Sequence, residues 1–272
     1  TAVIVYVCLI VLSVGITLGI FLQNALLLSW YNWFWMLAAG VLVFLGLTAV
    51  YFLLLYLISL TVDKSRPVSK RQPFYRFLLN ETVWLILHLG RVKIRVSGLE
   101  KLEGVPRFLL AANHRSNFDP FIAIAVCPKA ELAYICKPEI LNIPITGRIV
   151  HKCFFLPIDR QNNRAALDTI RHAAGLLGAG TVSIGVYPEG TRSKTGELLP
   201  FRNGAFQIAK RGNAPIVIAR TTGTENIAKN FARRTTCVTF EILDVLPAEA
   251  AAGMSTCEIG NHARQLILGG AE

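Results

Sequence analysis

Two polar stretches follow apolar runs, and both carry residue types that do chemistry. The first is Asn113-His114-Arg115-Ser116-Asn117-Phe118-Asp119, which comes directly after Arg107-Phe108-Leu109-Leu110-Ala111-Ala112. Histidine titrates nearest to neutral pH and is the usual general base. A carboxylate that fixes its tautomer and steadies the imidazolium makes it a better one. Positions five apart point away from each other on a straight helix. Asp119 can therefore serve His114 only if the backbone bends between them, and Ser116 and Asn117 permit a turn there. The plainer alternative is that Asp119 caps a helix opening at Pro120 and His114 is an ordinary loop residue.

The second stretch is Tyr187-Pro188-Glu189-Gly190-Thr191-Arg192-Ser193-Lys194. Gly190 lets backbone approach a ligand closely. Arg192 and Lys194 offer cationic donors, and the arginine fork suits a phosphate. Read as structure alone, this is a solvated basic turn. A third apolar run, 153–158, empties into Asp159-Arg160, which is otherwise a surface ion pair of little worth. A fourth, Ala214-Pro215-Ile216-Val217, reads only as a strand that begins at a proline.

These stretches need a scaffold. Alternating Val92-Lys93-Ile94-Arg95-Val96 predicts a strand, and short apolar runs at 107–112, 132–136, 153–158, 182–187, 216–221 and 238–246 predict six more. Helical spacing or capping signals predict helices at 73–89, 120–126, 165–177, 200–210 and 255–268. Strands alternating with helices predict an α/β domain, a mixed and mostly parallel sheet flanked by helices. In such sheets ligands gather at the carboxyl ends of the strands, where His114 falls. No internal repeat or low-complexity tract occurs.

Ahead of this domain the composition changes. Hydrophobic residues make up 53% of the 272 and charged residues 17%, against about 25% in ordinary soluble domains. No Asp, Glu, Lys or Arg precedes Asp63, so the whole net charge of +11 sits on 63–272. Apolar runs at 3–22 and 36–60 are each long enough to span a bilayer, with Trp30, Tyr31, Trp33 and Trp35 between them as interfacial aromatics. Residues 1–62 thus read as a membrane-anchoring helical hairpin; a buried hairpin of a soluble protein is the alternative. Residues 63–90 read as a basic collar (Lys64, Arg66, Lys70, Arg71, Arg76) with an interfacial or a core helix at 73–89. Positive residues beside a span stay on the cytoplasmic side, which predicts a cytoplasmic domain at 91–272 on a membrane, the cations collecting anionic headgroups.

Several function classes are excluded. The cysteines at 8, 127, 136, 153, 237 and 257 make no C-x-x-C pair, so zinc and a disulfide framework are not expected. G-x-x-x-x-G-K-[ST] and G-x-G-x-x-G are absent, as is the G-x-S-x-G nucleophile elbow. The basic balance admits nucleic acid, but the aromatics that would stack on bases crowd into the apolar runs.

Taken together, the blocks resemble the glycerolipid acyltransferase family, 1-acylglycerol-3-phosphate acyltransferases and bacterial ones in particular. Asn113-His114-x₄-Asp119 is similar to that family's N-H-x₄-D signature, and Tyr187-Pro188-Glu189-Gly190-Thr191-Arg192-Ser193 to its [FY]-P-E-G-T-R-S block. Lys137 through Ile143-Pro144-x-x-Gly147 to Leu156-Pro157-Ile158-Asp159-Arg160 resembles the block between them, and Ala214–Val217 the last. The order matches over 113–217, and the resemblance covers roughly 90–250. Tyr187 stands where phenylalanine is commoner.

The resemblance implies an acyl thioester donor, acyl-CoA or acyl-ACP, as co-substrate, with no cofactor and no metal. It implies lysophosphatidic acid as acceptor and phosphatidic acid as product. His114 would be the general base, oriented by Asp119, with no acyl-enzyme. Asn113, Lys137, Arg160, Glu189, Gly190, Thr191 and Arg192 would form the substrate site, with Arg192 on the phosphate and Arg160 as a second phosphate ligand. The implied setting is the bacterial inner membrane, with the domain facing the cytoplasm. Two alternatives stand beside it. One is another acceptor, glycerol-3-phosphate, a different lysophospholipid or a lyso-ornithine lipid. The other is a non-enzymatic module that binds anionic lipid.

Overall fold

The computed structural model describes residues 4–23, 30–159, 161–193 and 195–269. They divide into two compact units, Thr1–Arg66 and Pro67–Glu272.

The first unit is two helices, α1 (Ile4–Gln23) and α2 (Trp30–Leu60). Both are long and apolar enough to cross a membrane, with mean hydropathies of 2.7 and 2.6. The Tyr6 ring meets the Tyr51 ring edge-on at 6.1 Å, and Gly40 lies against Thr17. Low numbers thus meet high ones along both helices, so the pair is antiparallel. Ser13 and Thr17 return their hydroxyls to carbonyls of α1, which satisfies them without water. Val11, Val14, Phe34, Leu37 and Leu42 stand exposed, an outer surface that favours hydrocarbon over water. The tryptophans expected between the helices lie instead in the first turns of α2, because no residue there interrupts the helical run.

The second unit is built on a seven-stranded sheet. In chain order its strands are β1 (Val92–Ser97), β2 (Leu109–Ala112), β3 (Ala133–Cys136), β4 (Leu156–Pro157), β5 (Ile184–Val186), β6 (Ile216–Thr222) and β7 (Thr236–Leu246). Across the sheet the order is β1-β7-β6-β2-β5-β3-β4. The five strands from β6 to β4 run parallel, while β7 is antiparallel to β6 and carries β1 parallel to itself. The chain after β2, β3, β4, β5 and β6 therefore emerges at one edge. Leu109–Ala112 and Ile216–Ala219 are wholly buried, as expected for central strands covered on both faces.

The covering helices are α3 (Pro73–Leu89), α4 (Asp119–Val126), α5 (Thr146–Lys152), α6 (Asn163–Gly178), α7 (Gln207–Gly212), α8 (Ile227–Asn230), α9 (Ala248–Gly253) and α10 (Thr256–Gly269). Pro73 opens α3, where its missing N–H is harmless. The Asn162 side chain caps α6 by accepting from the backbone of Arg164 and Ala165. Leu78, Leu79, Val83 and Leu87 of α3 are buried, whereas Phe74, Phe77 and Leu89 are exposed.

Two elements depart from the sequence expectations. The strand expected at 153–158 shrinks to Leu156–Pro157, because Phe154 turns through a positive φ of 67°. Its Pro157 is tolerated because β4 is an edge. The helix expected at 200–210 begins as a 3₁₀ turn at Asn203 and becomes α7 at Gln207. Leu199 and Arg202 hold back because their N–H groups bond Glu189 Oε2 and the Pro188 carbonyl.

The basic collar is partly committed to structure. Arg71 donates to the Gly180 and Thr181 carbonyls, and Arg76 to those of Glu131, Leu132 and Cys153. Residues 180–181 and 131–132 precede β5 and β3, so these two guanidiniums brace the amino edge of the sheet, opposite the edge that carries His114.

Candidate active site

Strand β2 ends at Ala112 and delivers Asn113 and His114 to the carboxyl edge. Asn113 is buried and pairs twice with β6, its Nδ2 donating to the Thr221 carbonyl (2.9 Å) and its Oδ1 accepting from the Thr221 N–H (2.8 Å). The side chain thereby extends the β2–β6 ladder where the strands part, and it fixes the start of the loop.

The loop then wraps around a carboxylate. Asp119 is 1% exposed. Its Oδ2 lies 2.8 Å from His114 Nδ1 and accepts from the backbone N–H of Arg115 (2.7 Å) and Ser116 (2.8 Å). Its Oδ1 accepts from the Thr224 hydroxyl. A buried ionised carboxylate needs several donors to be tolerated, and four converge here. These bonds supply the bend that lets residues five apart meet. They also revise the capping expectation: α4 starts at Asp119 itself, with no side-chain cap, because the carboxylate faces back toward the histidine. With Nδ1 held by the carboxylate, the hydrogen-bond network places the proton on Nδ1 and leaves Nε2 as the basic nitrogen.

The 187–193 loop clamps the histidine backbone from the other side. The His114 N–H donates to Glu189 Oε1 at 2.6 Å, and its carbonyl accepts from the Ser193 N–H at 2.9 Å. Glu189 Oε2 accepts from Leu199 N–H at 2.9 Å. Both Glu189 oxygens are thus engaged in holding loops. Burial raises its carboxyl above the ordinary range, against the lowering effect of the two backbone donors. Gly190 sits at a φ of +72°, and a Cβ there would come within 2.9 Å of Arg202 Nε. Only glycine meets both conditions without strain.

The imidazole plane is set by stacking. Tyr187 lies over His114 with ring centroids 4.1 Å apart and planes 10° apart. Tyr134 lies parallel to Tyr187 in turn, at 5.6 Å and 13°. Gly185, paired with Tyr134 across β3 and β5, leaves room for the latter ring, since a Cβ there would fall 2.3 Å from a Tyr134 ring carbon. Burial holds both phenols above their ordinary range, so both stay neutral.

The other expected site residues are less closely joined. Thr191 and Arg192 are exposed on the same loop, and Lys137 is exposed just beyond β3. All three stand at the carboxyl edge. Arg160 lies outside the described residues. A cleft of about 380 Å³ opens beside the two loops, lined by Asn113, Arg115, Glu189, Ser193, Arg220 and Leu268. Arg220 is held there by Glu241 at 2.6 Å.

An acyltransferase family model matches residues 93–220. That segment, just under half of the chain, is similar to the acyltransferase family. It contains both loops and β2, β5 and most of β6. The chain is 30% identical over 140 residues to a 1-acyl-sn-glycerol-3-phosphate acyltransferase of Limnanthes douglasii, covering 52% of this chain and 49% of that one. It is 38% identical over 118 residues to the protein of that name from Cocos nucifera, covering 43% and 38%. The matches thus span half or less of the length of these relatives. The fold is also that of a crystal structure of the 1-acyl-sn-glycerophosphate (LPA) acyltransferase PlsC of Thermotoga maritima. That comparison gives a TM-score of 0.58 at 21% identity and covers 81% of this chain and 87% of the other.

The part that three residues play in this site escaped the sequence reading. Thr224 and Thr221 belong to β6 and the turn after it, and only the strand order shows that β6 lies beside β2. Tyr187 was legible as a motif letter, but its stacking on His114 depends on how the two loops face each other.

Proposed function

We propose that this chain transfers a fatty acyl group from a thioester, acyl-CoA or acyl-ACP, to the sn-2 hydroxyl of lysophosphatidic acid, giving phosphatidic acid and a free thiol. The observation that carries this reading is the 2.8 Å contact between His114 Nδ1 and the buried Asp119 carboxylate, at the carboxyl edge of a domain similar to the acyltransferase family.

Asp119 fixes the tautomer, so Nε2 removes the acceptor hydroxyl proton as that oxygen bonds to the thioester carbonyl carbon. Collapse of the tetrahedral oxyanion breaks the C–S bond, and the imidazolium returns its proton to the leaving thiolate. One C–O bond forms and one C–S bond breaks. The substrate's own hydroxyl is the nucleophile. The thiols of Cys127 and Cys136, pushed up by burial to about 12, and of Cys153, to about 11, stay protonated at neutral pH and offer no thiolate for an acyl-enzyme. The step as written needs no metal and no cofactor beyond the thioester co-substrate.

We assign the acceptor phosphate to Arg192, with Arg160 and Lys137 as further cations and the Gly190–Thr191 backbone beside it. The α1–α2 pair anchors the chain in a membrane, the bacterial inner membrane in this reading. Lys64, Arg66 and Lys70 keep the domain on the cytoplasmic side.

The test is thiol release by the purified chain, offered acyl-CoA or acyl-ACP with lysophosphatidic acid, glycerol-3-phosphate, lysophosphatidylcholine and a lyso-ornithine lipid in turn. Turnover strongest with lysophosphatidic acid supports the assignment. Preference for a phosphate-free acceptor, or release without any acceptor, contradicts it.

A further inference from the structure

Neither 82–99 nor 226–240 contains an acidic residue. The pairing of β1 with β7 lays them side by side, Val92 against Thr236 onward. Between them they carry six exposed cations, Arg91, Lys93, Arg95, Lys229, Arg233 and Arg234. Among the described residues, none of the six is joined to a carboxylate by a salt bridge.

Lys229 near the end of α8 and Arg233 and Arg234 in the turn after it flank Phe231 in sequence. The Arg233 and Arg234 N–H groups both donate to the Asn230 carbonyl at 2.9 Å, and Asn230 Nδ2 donates to the Thr236 hydroxyl at 3.0 Å. The turn is thereby closed on itself, with Phe231 at its outer side, 36% exposed. One edge of that ring rests on Gly90, where a Cβ would come within 3.2 Å of it. The ring also stacks loosely on Phe118, at 6.5 Å, in the loop that carries His114 and Asp119. Leu89, one residue before Gly90, is 54% exposed.

Charges on an edge strand are a common guard against edge-to-edge pairing, which accounts for Lys93 and Arg95. It does not account for three cations and a half-exposed phenylalanine on a separate turn. We propose that the 229–234 turn, with Arg91–Arg95 beside it, docks on an anionic lipid bilayer, Phe231 entering the headgroup layer and the cations meeting the headgroup phosphates. A cluster of cations without acids complements an anionic leaflet, and an aromatic with an apolar neighbour favours the interfacial layer over an acidic protein surface. The contact places the His114 loop, through Phe118, next to the bilayer surface. It is a binding event, read without turnover, so it stands or falls separately from the acyl-transfer reading.

The experiment compares hydrogen exchange of segments 90–96 and 228–236 in the full chain, reconstituted in phosphatidylcholine nanodiscs and in discs with about a third phosphatidylglycerol. A few cations at roughly fivefold each predict amide exchange about tenfold slower or more in the anionic discs. Raising the salt severalfold should abolish the difference. Arg233→Glu/Arg234→Glu should abolish it with an unchanged thermal melt, and Phe231→Ser should reduce it. Equal exchange in the two discs overturns the proposal. So does protection that appears in neutral discs only on adding an acidic carrier protein, which would assign the surface to a protein partner.

Discussion

The Thr224 hydroxyl donates a hydrogen bond to Asp119 Oδ1 across 105 residues of sequence, and both side chains are almost wholly buried. The carboxylate thus presents one oxygen to Thr224 and the other to His114. Its orientation is determined by a turn that follows a different strand from the one delivering the histidine.

Removing that hydroxyl leaves a buried charge short of one donor. Thr224→Val should destabilise the fold by about 1–3 kcal/mol and lower kcat more than it raises KM. Thr224→Ser should restore most of both. Denaturant melts and steady-state thiol release on the three proteins check this; a Thr224→Val enzyme with unchanged kcat contradicts it.

The stack on the histidine gives a second expectation. Tyr187→Phe keeps the ring and should retain activity within a few-fold, whereas Tyr187→Leu should lower kcat by about tenfold, since a loosened imidazole spends less time aimed at the acceptor. Gly185→Ala should act in the same direction from behind, because the new methyl group displaces Tyr134. Equal activity of the Phe and Leu variants would remove the stack from the account.

Much of this arrangement was visible in the sequence, and the reasons are local. Leu109–Ala112 and Ile216–Ala219 are apolar runs too short for helices, and both are buried strands. The two polar blocks follow strand ends and do meet. What stayed hidden depends on strand order or on loop bonds. Thr224 could not be tied to Asp119 before β6 was known to neighbour β2. The resemblance placed Glu189 in the substrate site, and nothing local revealed that its oxygens also accept from the His114 and Leu199 N–H groups. Helix α5 is only seven residues long and gives no periodic signal. Arg71 and Arg76 read as lipid-facing cations because nothing local reveals the carbonyls they meet more than 50 residues away.

Glu189 also carries a pH expectation. Its folded-state pKa is raised by burial, so the folded protein binds a proton that the unfolded chain has already released. Its contribution to stability is therefore most favourable below the ordinary carboxylate range, and it diminishes as pH rises from about 4.3 through the raised value. Glu189→Gln, which cannot lose a proton, should flatten that part of the profile, while losing one of the two backbone bonds. Thermal melts from pH 4 to 8 on both proteins test this; parallel profiles contradict it.

The central claim is that His114, held by Asp119, takes the acceptor's proton, and it is tested most directly by thiol release from His114→Ala with lysophosphatidic acid and an acyl thioester. General base catalysis contributes about 10²–10⁴-fold. The account predicts a loss in kcat of that size in a protein that still folds cooperatively and binds lipid, with a melt lowered to about the extent of Thr224→Val because Asp119 loses a donor in both. A folded His114→Ala protein turning over within a few-fold of the native rate would contradict it.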